Sequence, residues 1–529
     1  MYYFSYFYIP LFLGATVLAY FLTPLKKRWI VLLAASLLFY LANSSKMIGY
    51  MLITSAATYA AAVWLQKITD CDKLAAKSVS PENKAAYKSL VLFQKKAVVV
   101  LLVAVDFGIL AALKYAGFAA TNLDSLFAAL HLSLIAPVRS VILPLGISFY
   151  TLQAVSYVVD VYRGKVRANR NYAKVLLFLC FFPQIVEGPI GRYDHLAPQL
   201  YEGHRFNYRN LTHGAQLILW GILKEYVIAN RAGLLVDQVF NHANDYSGTS
   251  VMLAILLYTL QLYADFSGCI DVAAGSAQIF GISLAQNFRR PFFSRSVNEF
   301  WRRWHITLGA WLRDYIFYPV SLSRPLMKFS HFIRRRHNTH LGKWLCAGSA
   351  LFFVWLGNGL WHGAGWKYLA YGMYYYVLMM LGMLCEPVFR KGSAALHINR
   401  ESVPYRVFQI LRTFVLVNIG MLIFRADTLR TAGQMFLSIF RGTGPATLFG
   451  MGLTHAGLNP KDMVVLAAGT AMLVVVGLLQ EKNIRLRVRI ASWPLPARWG
   501  VYLTAIFVLI IVGAYGTGYL PPDQIYASF

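Results

Sequence analysis

The sequence predicts an all-α polytopic membrane protein, a single domain over residues 1–529 with about 11 to 13 transmembrane and re-entrant helices. Two observations predict this class. Of the 529 residues, 58% are hydrophobic and only 14% are charged, a composition too apolar for a soluble protein of this length. The apolar residues also form separate runs of helical length, with basic residues gathered between the runs.

The apolar runs can be placed one by one along the chain. They lie near residues 4–25, 29–42, 47–66, 97–116, 141–162, 173–190, 214–236, 250–282, 344–361, 366–385, 405–424, 462–480 and 499–518. Several are too short or too polar to cross a bilayer of about 30 Å upright, so we expect tilted and re-entrant helices among them. The first run lacks a cationic leader and a cleavage site, and we expect it to remain as a transmembrane helix.

The Lys and Arg counts in the first five loops predict the orientation of the chain. They are three at 26–28, one at 43–46, seven at 67–96, none at 117–138 and five at 163–174. Because basic loops face the cytoplasm, we expect an extracytoplasmic N-terminus in the inner (cytoplasmic) membrane. Along the whole chain, whose formal charge is +28, the basic residues cluster between the apolar runs and form no continuous basic arm, which argues against nucleic acid as a partner.

Residues 289–343 interrupt the apolar runs and predict a basic segment at the cytoplasmic interface. The segment has twelve Lys and Arg residues against two acids. A 3, 4, 7 spacing from Trp301 through His305 to Leu312 predicts one amphipathic helix that lays its tryptophans at the headgroups and aims His305 inward. The part from 324 to 343 is either a solvated loop or a docking surface for an acidic partner such as a carrier protein.

Two histidines in apolar, tryptophan-rich settings are the strongest candidates for chemistry. His305 ends the run Asn298-Glu-Phe-Trp-Arg-Arg-Trp-His, and His362 lies within Gly359-Leu-Trp-His-Gly-Ala-Gly-Trp. An ionisable side chain at membrane depth is costly and is usually retained for a function. The alternative is that each histidine fills a packed polar niche. The five cysteines have no short spacing, so neither a disulfide framework nor a metal site is indicated.

A combination of short motifs lies within residues 141–366, which we take as the catalytic core. The motifs are Leu143-Pro-Leu-Gly-Ile-Ser-Phe-Tyr150, Asp160-Val-Tyr-Arg-Gly164, Phe182-Pro-Gln184, Gly188-Pro-Ile190, Asp265-Phe-Ser-Gly268, Asn287-Phe, Arg290-Pro-Phe, Glu299-Phe-Trp-Arg-Arg-Trp-His305, Trp311-Leu-Arg-Asp-Tyr315 and Trp361-His-Gly363. Together they resemble the membrane-bound O-acyltransferase (MBOAT) family, in the bacterial branch that contains the alginate O-acetylation protein and the D-alanyl transferase of teichoic acids.

This resemblance implies a ring of tilted helices around a central tunnel, with a cytoplasmic entrance for the acyl donor and an extracytoplasmic approach for the acceptor. It implies that His362 is the family's nearly invariant histidine and that His305 is the second, which is histidine or asparagine in the wider family. The expected donor is an acyl thioester, either acetyl-CoA or an acyl carrier protein, with no bound cofactor. The expected partners are a polysaccharide acceptor and a separate extracytoplasmic acyltransferase.

The expected reaction is the attack of a hydroxyl group on the donor thioester. Burial keeps an imidazole ring neutral, so His362 can remove the hydroxyl proton as the new bond forms. We expect His305 either to orient the thioester or to donate a hydrogen bond to the developing oxyanion.

Several other polar and aromatic residues are weaker candidates for lining the substrate tunnel. They are Trp304, Trp361, Asn287, Asn298, Asp265, Glu187 and Asp314. The tryptophans also suit interfacial anchors, and the asparagines suit helix caps. We expect Asp265 or Asp271 to form a structural ion pair with an arginine such as Arg313. Glu187 lies among prolines and glycine, which predicts an irregular, re-entrant tunnel wall.

The leading hypothesis is O-acylation, most simply acetylation, of an exported or cell-surface polysaccharide. D-alanyl transfer from a carrier protein to teichoic acid is the alternative within the same class. A polysaccharide transporter or export channel would also need many helices, but the motifs show no internal repeat. An interaction scaffold would not need buried histidines.

Overall fold

The computed structural model describes residues 3–5, 7–75, 77–129, 143–246, 248–336, 339–441 and 458–515. These residues form helices and connecting segments with no β-strand, which confirms the predicted all-α class. In chain order the helices are α1 (Gly14–Leu22), α2 (Arg28–Ser44), α3 (Ile48–Ala75), α4 (Lys84–Ala129), α5 (Ile147–Tyr162), α6 (Tyr172–Cys180), α7 (Phe182–Ile185), α8 (Tyr193–Glu202), α9 (Tyr208–Leu223), α10 (Asn230–Asn241), α11 (Thr249–Ile279), α12 (Val297–Arg303), α13 (Ile306–Leu312), α14 (Tyr318–Ser321), α15 (Arg324–Arg336), α16 (Thr339–His362), α17 (Trp366–Ala395), α18 (Val403–Arg425), α19 (Leu429–Ser438), α20 (Pro460–Glu481), α21 (Leu486–Ala491) and α22 (Leu495–Val512).

Eight helical stretches within the described ranges are long and apolar enough to cross a membrane. They are Leu25–Ala75, Lys84–Ala129, Thr249–Ile279, Trp344–His362, Trp366–Ala395, Val403–Arg425, Pro460–Glu481 and Leu495–Val512. In the last of these none of the apolar window is buried against protein, which suits a helix that faces lipid. The protein is therefore a multi-pass membrane protein, as its composition predicts.

Helix α4 differs from its predicted extent. The hydropathy pattern ends near residue 116, but the helix continues to Ala129 without a break. Its 46 residues span about 69 Å, more than twice the apolar thickness of a bilayer. The predicted loop at 117–138 therefore begins as helix, because a fall in hydropathy does not by itself end a helix; residues 130–138 lie outside the described ranges.

One compact unit contains the described residues up to 218 together with residues 272–285. Its most buried helix is α5, which packs against α3, α4 and α6. After α6 the backbone becomes irregular, and side chains form hydrogen bonds with backbone N–H and C=O groups there. The backbone N–H of Phe182 donates to Ser36 Oγ at 3.0 Å, and the hydroxyl of Tyr3 donates to the Phe182 carbonyl at 2.8 Å. Glu187 lies in this buried, irregular stretch, as its proline and glycine neighbours predict; its role as a tunnel wall stays a prediction.

The second compact unit contains residues 219–271 and, within the described ranges, the chain from 286 onwards. Helix α16 packs between α15 and α17, and the short helix α12 packs against α17 and α18. Both histidines belong to this unit.

The predicted continuous helix from Trp301 to Leu312 is wrong. Helix α12 ends at Arg303 and α13 begins at Ile306, because Trp304 is extended and His305 is left-handed, with φ 45° and ψ 52°. Backbone hydrogen bonds to an earlier segment hold this break. The N–H of Ile306 donates to the carbonyl of Asn287 at 2.9 Å, and the N–H of Arg289 donates to that of Arg303 at 2.8 Å.

Candidate active site

His305 has a backbone conformation that L-residues rarely adopt. A left-handed non-glycine residue costs roughly 1–2 kcal/mol and persists only where its surroundings fix it. The backbone hydrogen bonds to Asn287 and Arg289 help to hold this conformation, and the packing of the buried imidazole ring holds it further. The ring of His305 lies edge-on to Phe266, with centroids 4.9 Å apart, and 5.5 Å from the ring of Trp361.

The side chain of Asn287 fixes the tautomer of His305. Its Oδ1 lies 3.1 Å from the backbone nitrogen of Thr307, 2.9 Å from Thr307 Oγ1 and 3.2 Å from His305 Nδ1. A backbone N–H can only donate, so the Thr307 bond assigns the oxygen of the Asn287 amide to this position. His305 Nδ1 must then carry a hydrogen and donate it, which leaves the lone pair of the neutral ring on Nε2.

Burial also keeps the His305 ring neutral. The residue is 2% exposed, and desolvation lowers the pKa of its imidazole to about 3. A neutral ring with hydrogen on Nδ1 accepts at Nε2 and cannot donate from it. This geometry does not fit the expected donation of a hydrogen bond to an oxyanion, and it can orient a substrate only through an O–H or N–H group that donates to Nε2.

His362 ends α16 in an aromatic enclosure. It is 2% exposed, and its ring centroid lies 5.0 Å from that of Trp361, 5.7 Å from that of Tyr371 and 5.1 Å from that of Phe424. Trp361 contacts both histidine rings and thus joins the two candidate catalytic residues. The glycine of Trp-His-Gly is required sterically, because a Cβ at Gly363 would overlap the ring of Tyr368.

A network of charged side chains anchors the segments that lead to His305. Arg303 donates from Nη2 to Glu299 and from Nη1 to Glu481, both at 2.6 Å. The same Glu481 carboxylate forms an ion pair with Arg290 at 2.9 Å. Glu481 is the last residue of α20. It therefore links that helix both to Arg290, in the segment after Asn287, and to Arg303, at the end of α12. We call these four residues the Glu481 clamp.

Among the weaker candidates, Trp361 and Asn287 lie at the site described above. Trp304 is buried in an aromatic core, stacked on Phe300 at 5.4 Å. Asn298 is exposed on α12 and does not cap it; the cap is Ser296, whose hydroxyl accepts from the Glu299 N–H at 3.1 Å.

For Asp271, the predicted ion pair with an arginine such as Arg313 is wrong. Arg313 pairs with its neighbour Asp314 at 3.0 Å, and Asp271 pairs with Lys224 at 2.7 Å. Lys224 begins a π-helical turn, Lys224–Ala229, and also donates to Ser267 at 2.8 Å. The partner of Asp271 is therefore a lysine at the start of the π-helical turn, which lies against α11 at the Asp265–Asp271 motif. Asp265 is buried on α11 in the same unit as the histidines, whereas Glu187 belongs to the other unit.

Sequence reasoning missed Thr307, Lys224, Tyr371 and Glu481. A usable signal existed for Lys224, an ionisable residue inside the apolar run 214–236. For the others no sequence signal exists, because their roles depend on contacts across long stretches of chain. Within the described ranges, no group of three His, Cys, Asp or Glu side chains is placed to hold a metal ion.

Comparisons with known proteins agree with the family resemblance of the motifs. The family model described as MBOAT, membrane-bound O-acyltransferase family, matches residues 165–422. The probable alginate O-acetylase AlgI of Pseudomonas syringae pv. tomato is 32% identical over 439 residues, covering 83% of this chain and 74% of the relative. The peptidoglycan O-acetyltransferase of Helicobacter pylori is 30% identical over 485 residues, covering 86% and 80%. The teichoic acid D-alanyltransferase of Bacillus subtilis is 29% identical over 301 residues, covering 54% and 70%. These similarities confirm the predicted resemblance and favour an enzyme over an export channel.

Proposed function

The chain belongs to the membrane-bound O-acyltransferase family, and from this premise we propose that it transfers an acetyl group from a cytoplasmic thioester towards hydroxyl groups of an extracytoplasmic polysaccharide. The observation that carries the proposal is the pair of buried histidines joined by Trp361. The names of two relatives, an alginate O-acetylase and a peptidoglycan O-acetyltransferase, support acetyl as the acyl group and a polysaccharide as the acceptor.

In the proposed mechanism His362 is the general base. The acceptor oxygen attacks the thioester carbonyl carbon while its proton moves to the imidazole of His362. The carbon–sulfur bond then breaks, and the thiolate leaves with that proton, so the ring returns to its neutral form. His305 accepts a hydrogen bond from a substrate O–H or N–H at Nε2 and so orients that group. The lone pair is on Nε2 because Asn287 holds the ring hydrogen on Nδ1. Aromatic rings around both histidines exclude water that would hydrolyse the thioester.

The proposed setting is the inner membrane, with the N-terminus outside. The donor is acetyl-CoA or an acylated carrier protein that approaches from the cytoplasm, and no cofactor is held permanently. We expect a separate extracytoplasmic acyltransferase to complete the transfer to the full-length polymer, and a short soluble oligosaccharide to serve as an acceptor without it. The alternation of basic loops supports this orientation, since the chain's first, third and fifth loops hold most of its early Lys and Arg residues.

A second candidate function is D-alanyl transfer to teichoic acid. The similarity to the Bacillus subtilis D-alanyltransferase favours it, although that similarity covers 54% of this chain against 83% for the alginate O-acetylase. Both reactions use the same attack on a thioester, so the histidine pair does not separate them.

Mass spectrometry of the cell-surface polymers separates the two candidates. A strain of the source organism that lacks this gene should lose acetyl esters, and the wild-type gene should restore them. The His362→Ala gene should not, whereas Asn83→Ala, an exposed change outside the site, should restore the wild-type level. Loss of alanyl esters instead would favour the second candidate, and unchanged esters of both kinds would contradict the proposal.

A further inference from the structure

Three buried polar atoms near His362 have no hydrogen-bond partner among the described residues. They are the indole nitrogens of Trp301 and Trp355 and the amide oxygen of Asn358. Trp355 is 4% exposed and Asn358 is 3% exposed. Buried donors and acceptors are almost always paired in folded proteins, so two N–H groups and one carbonyl without partners require an explanation.

The side chains of Trp301, Trp355 and Asn358 form one surface beside His362, which we call the wall. On α16, positions 355, 358 and 362 fall within about 60° of one another around the helix axis, so the three side chains share a face. The ring of Trp301 lies 5.0 Å from that of Trp355, and the ring of Tyr375 contacts both, at 4.8 Å and 5.2 Å.

The same wall reaches His362 through Tyr371. The ring of Tyr371 lies 5.1 Å from that of Tyr375 and 5.7 Å from that of His362. Two N–H donors and one carbonyl acceptor therefore stand on an aromatic surface that ends at the proposed base.

Two donors and one acceptor are complementary to a secondary amide. The amide carbonyl oxygen accepts two hydrogen bonds, and its N–H donates one. Asn358 precedes His362 by one helical turn, a rise of about 6 Å along the axis. In a thioester of a pantetheine arm, the nearest amide nitrogen is four bonds from the acyl carbon, or about 5 Å. An amide bound at the wall would thus hold the acyl carbon at the base.

We propose that Trp301, Trp355 and Asn358 form a subsite that binds the amide next to the sulfur of a pantetheine-type thioester. The proposal rests on the proposed function and names the chemistry of its donor. The indole N–H groups donate to the amide carbonyl, and Asn358 Oδ1 accepts from the amide N–H. Coenzyme A and carrier proteins share this arm, so the subsite serves either source.

The test compares two small donors on the purified full-length protein, with a soluble oligosaccharide present to supply the hydroxyl group that attacks the thioester. S-acetyl-N-acetylcysteamine contains the amide, and S-acetyl-O-acetyl-2-mercaptoethanol replaces its N–H with an ester oxygen. Each donor's kcat/KM for thiol release is measured in wild type, Asn358→Leu and Trp355→Phe. The control variants are Asn83→Ala and Trp493→Phe, which change an exposed asparagine and an exposed tryptophan.

The wild type should prefer the amide donor by about tenfold, the effect of one buried hydrogen bond. Asn358→Leu should abolish this preference, because it removes the acceptor for the amide N–H. Trp355→Phe keeps the ring packing and should lower kcat/KM about tenfold for both donors, because both contain the carbonyl. The control variants should behave like the wild type.

Acetyl-CoA and an acetylated carrier protein are assayed in parallel, and the KM for either active donor should rise about tenfold in Asn358→Leu and Trp355→Phe with kcat nearly unchanged. An amide preference that survives in Asn358→Leu, or a KM that is unchanged in both variants, would overturn the subsite. The three polar atoms would then bind only an ordered water molecule. Failure of the wild type to release thiol from any thioester would instead contradict the proposed function.

Discussion

Replacing Asn287 with alanine tests the account of His305 in the most detail. The change removes one oxygen that accepts from three donors, two on Thr307 and one on His305. Leaving a buried donor without a partner costs about 1–3 kcal/mol, and water entering the space vacated by the amide recovers part of that cost. We therefore expect a loss of about 2–4 kcal/mol in the free energy of unfolding.

The catalytic loss should exceed what this destabilisation explains. Without Asn287 the His305 ring can take either tautomer, and its left-handed turn loses one constraint. A histidine in the wrong tautomer lowers turnover by up to about 10⁴-fold in a serine protease, so we expect a loss of at least about a hundredfold here. The assay is thiol release from an acetyl thioester by purified protein in the presence of a soluble oligosaccharide acceptor, with variants matched for folding by gel filtration. Asn83→Ala, a change of an exposed asparagine outside the site, is the matched control.

Asn287→Asp separates the tautomer from the charge. The aspartate keeps an oxygen acceptor, so the tautomer is retained, but its negative charge favours the imidazolium form and raises the pKa of His305 from about 3. Activity of this variant should fall as the pH is lowered from about 8 to 5, and the wild type should lose less over the same range. Wild-type turnover in a well-folded Asn287→Ala protein would refute the reasoning.

Three further predictions concern the clamp, the topology and the stability. Glu481→Gln should lower kcat more than it raises KM, because it loosens the turn before His305 without touching substrate, and Glu481→Asp should recover part of the loss; equal kcat in Glu481→Gln and wild type would contradict the clamp's positioning role. A single cysteine at Asn83, introduced into a cysteine-free background, should resist an impermeant maleimide on intact cells; labelling from outside would reverse the proposed orientation. The folded His305 has a pKa below its ordinary value of 6.5, so the unfolded chain binds a proton that the folded one excludes. In detergent, the free energy of unfolding should therefore keep the full contribution of His305 above pH 6.5 and fall by up to about 1.4 kcal/mol per pH unit below it. His305→Asn should remove this part of the pH dependence.

The fold class and the multi-pass character could be predicted because each rests on a sum over many residues. Hydropathy over a whole helix is insensitive to any one side chain, so the long apolar stretches were placed correctly. Helix ends depend on local contacts instead, and the extension of α4 to Ala129 shows this limit.

The two histidines could be found from the sequence, but the geometry of His305 could not. The apolar spacing around Trp301 continues across the break between α12 and α13, so periodicity alone predicts one helix. The break is stabilised by Asn287, which is 18 residues earlier in the chain. A contact at that separation leaves no periodic signal.

Partners of charged residues were the least predictable feature. An ion pair for an aspartate of the Asp265–Asp271 motif was expected on physical grounds, and Asp271 does form one, but with Lys224 and not Arg313. Choosing between two cations requires knowing how α9 and α11 meet, and their close approach at Gly221 and Gly268 is a property of the packed structure.

The central claim, histidine-dependent acyl transfer, is tested most directly by the reaction of purified protein with an acetyl thioester and a soluble oligosaccharide acceptor. Mass spectrometry follows both the released thiol and the acetylated product. The account predicts that His362→Ala, folded as well as the wild type, loses at least about a hundredfold in turnover, the contribution of a general base. Turnover by folded His362→Ala equal to that of the wild type would contradict it.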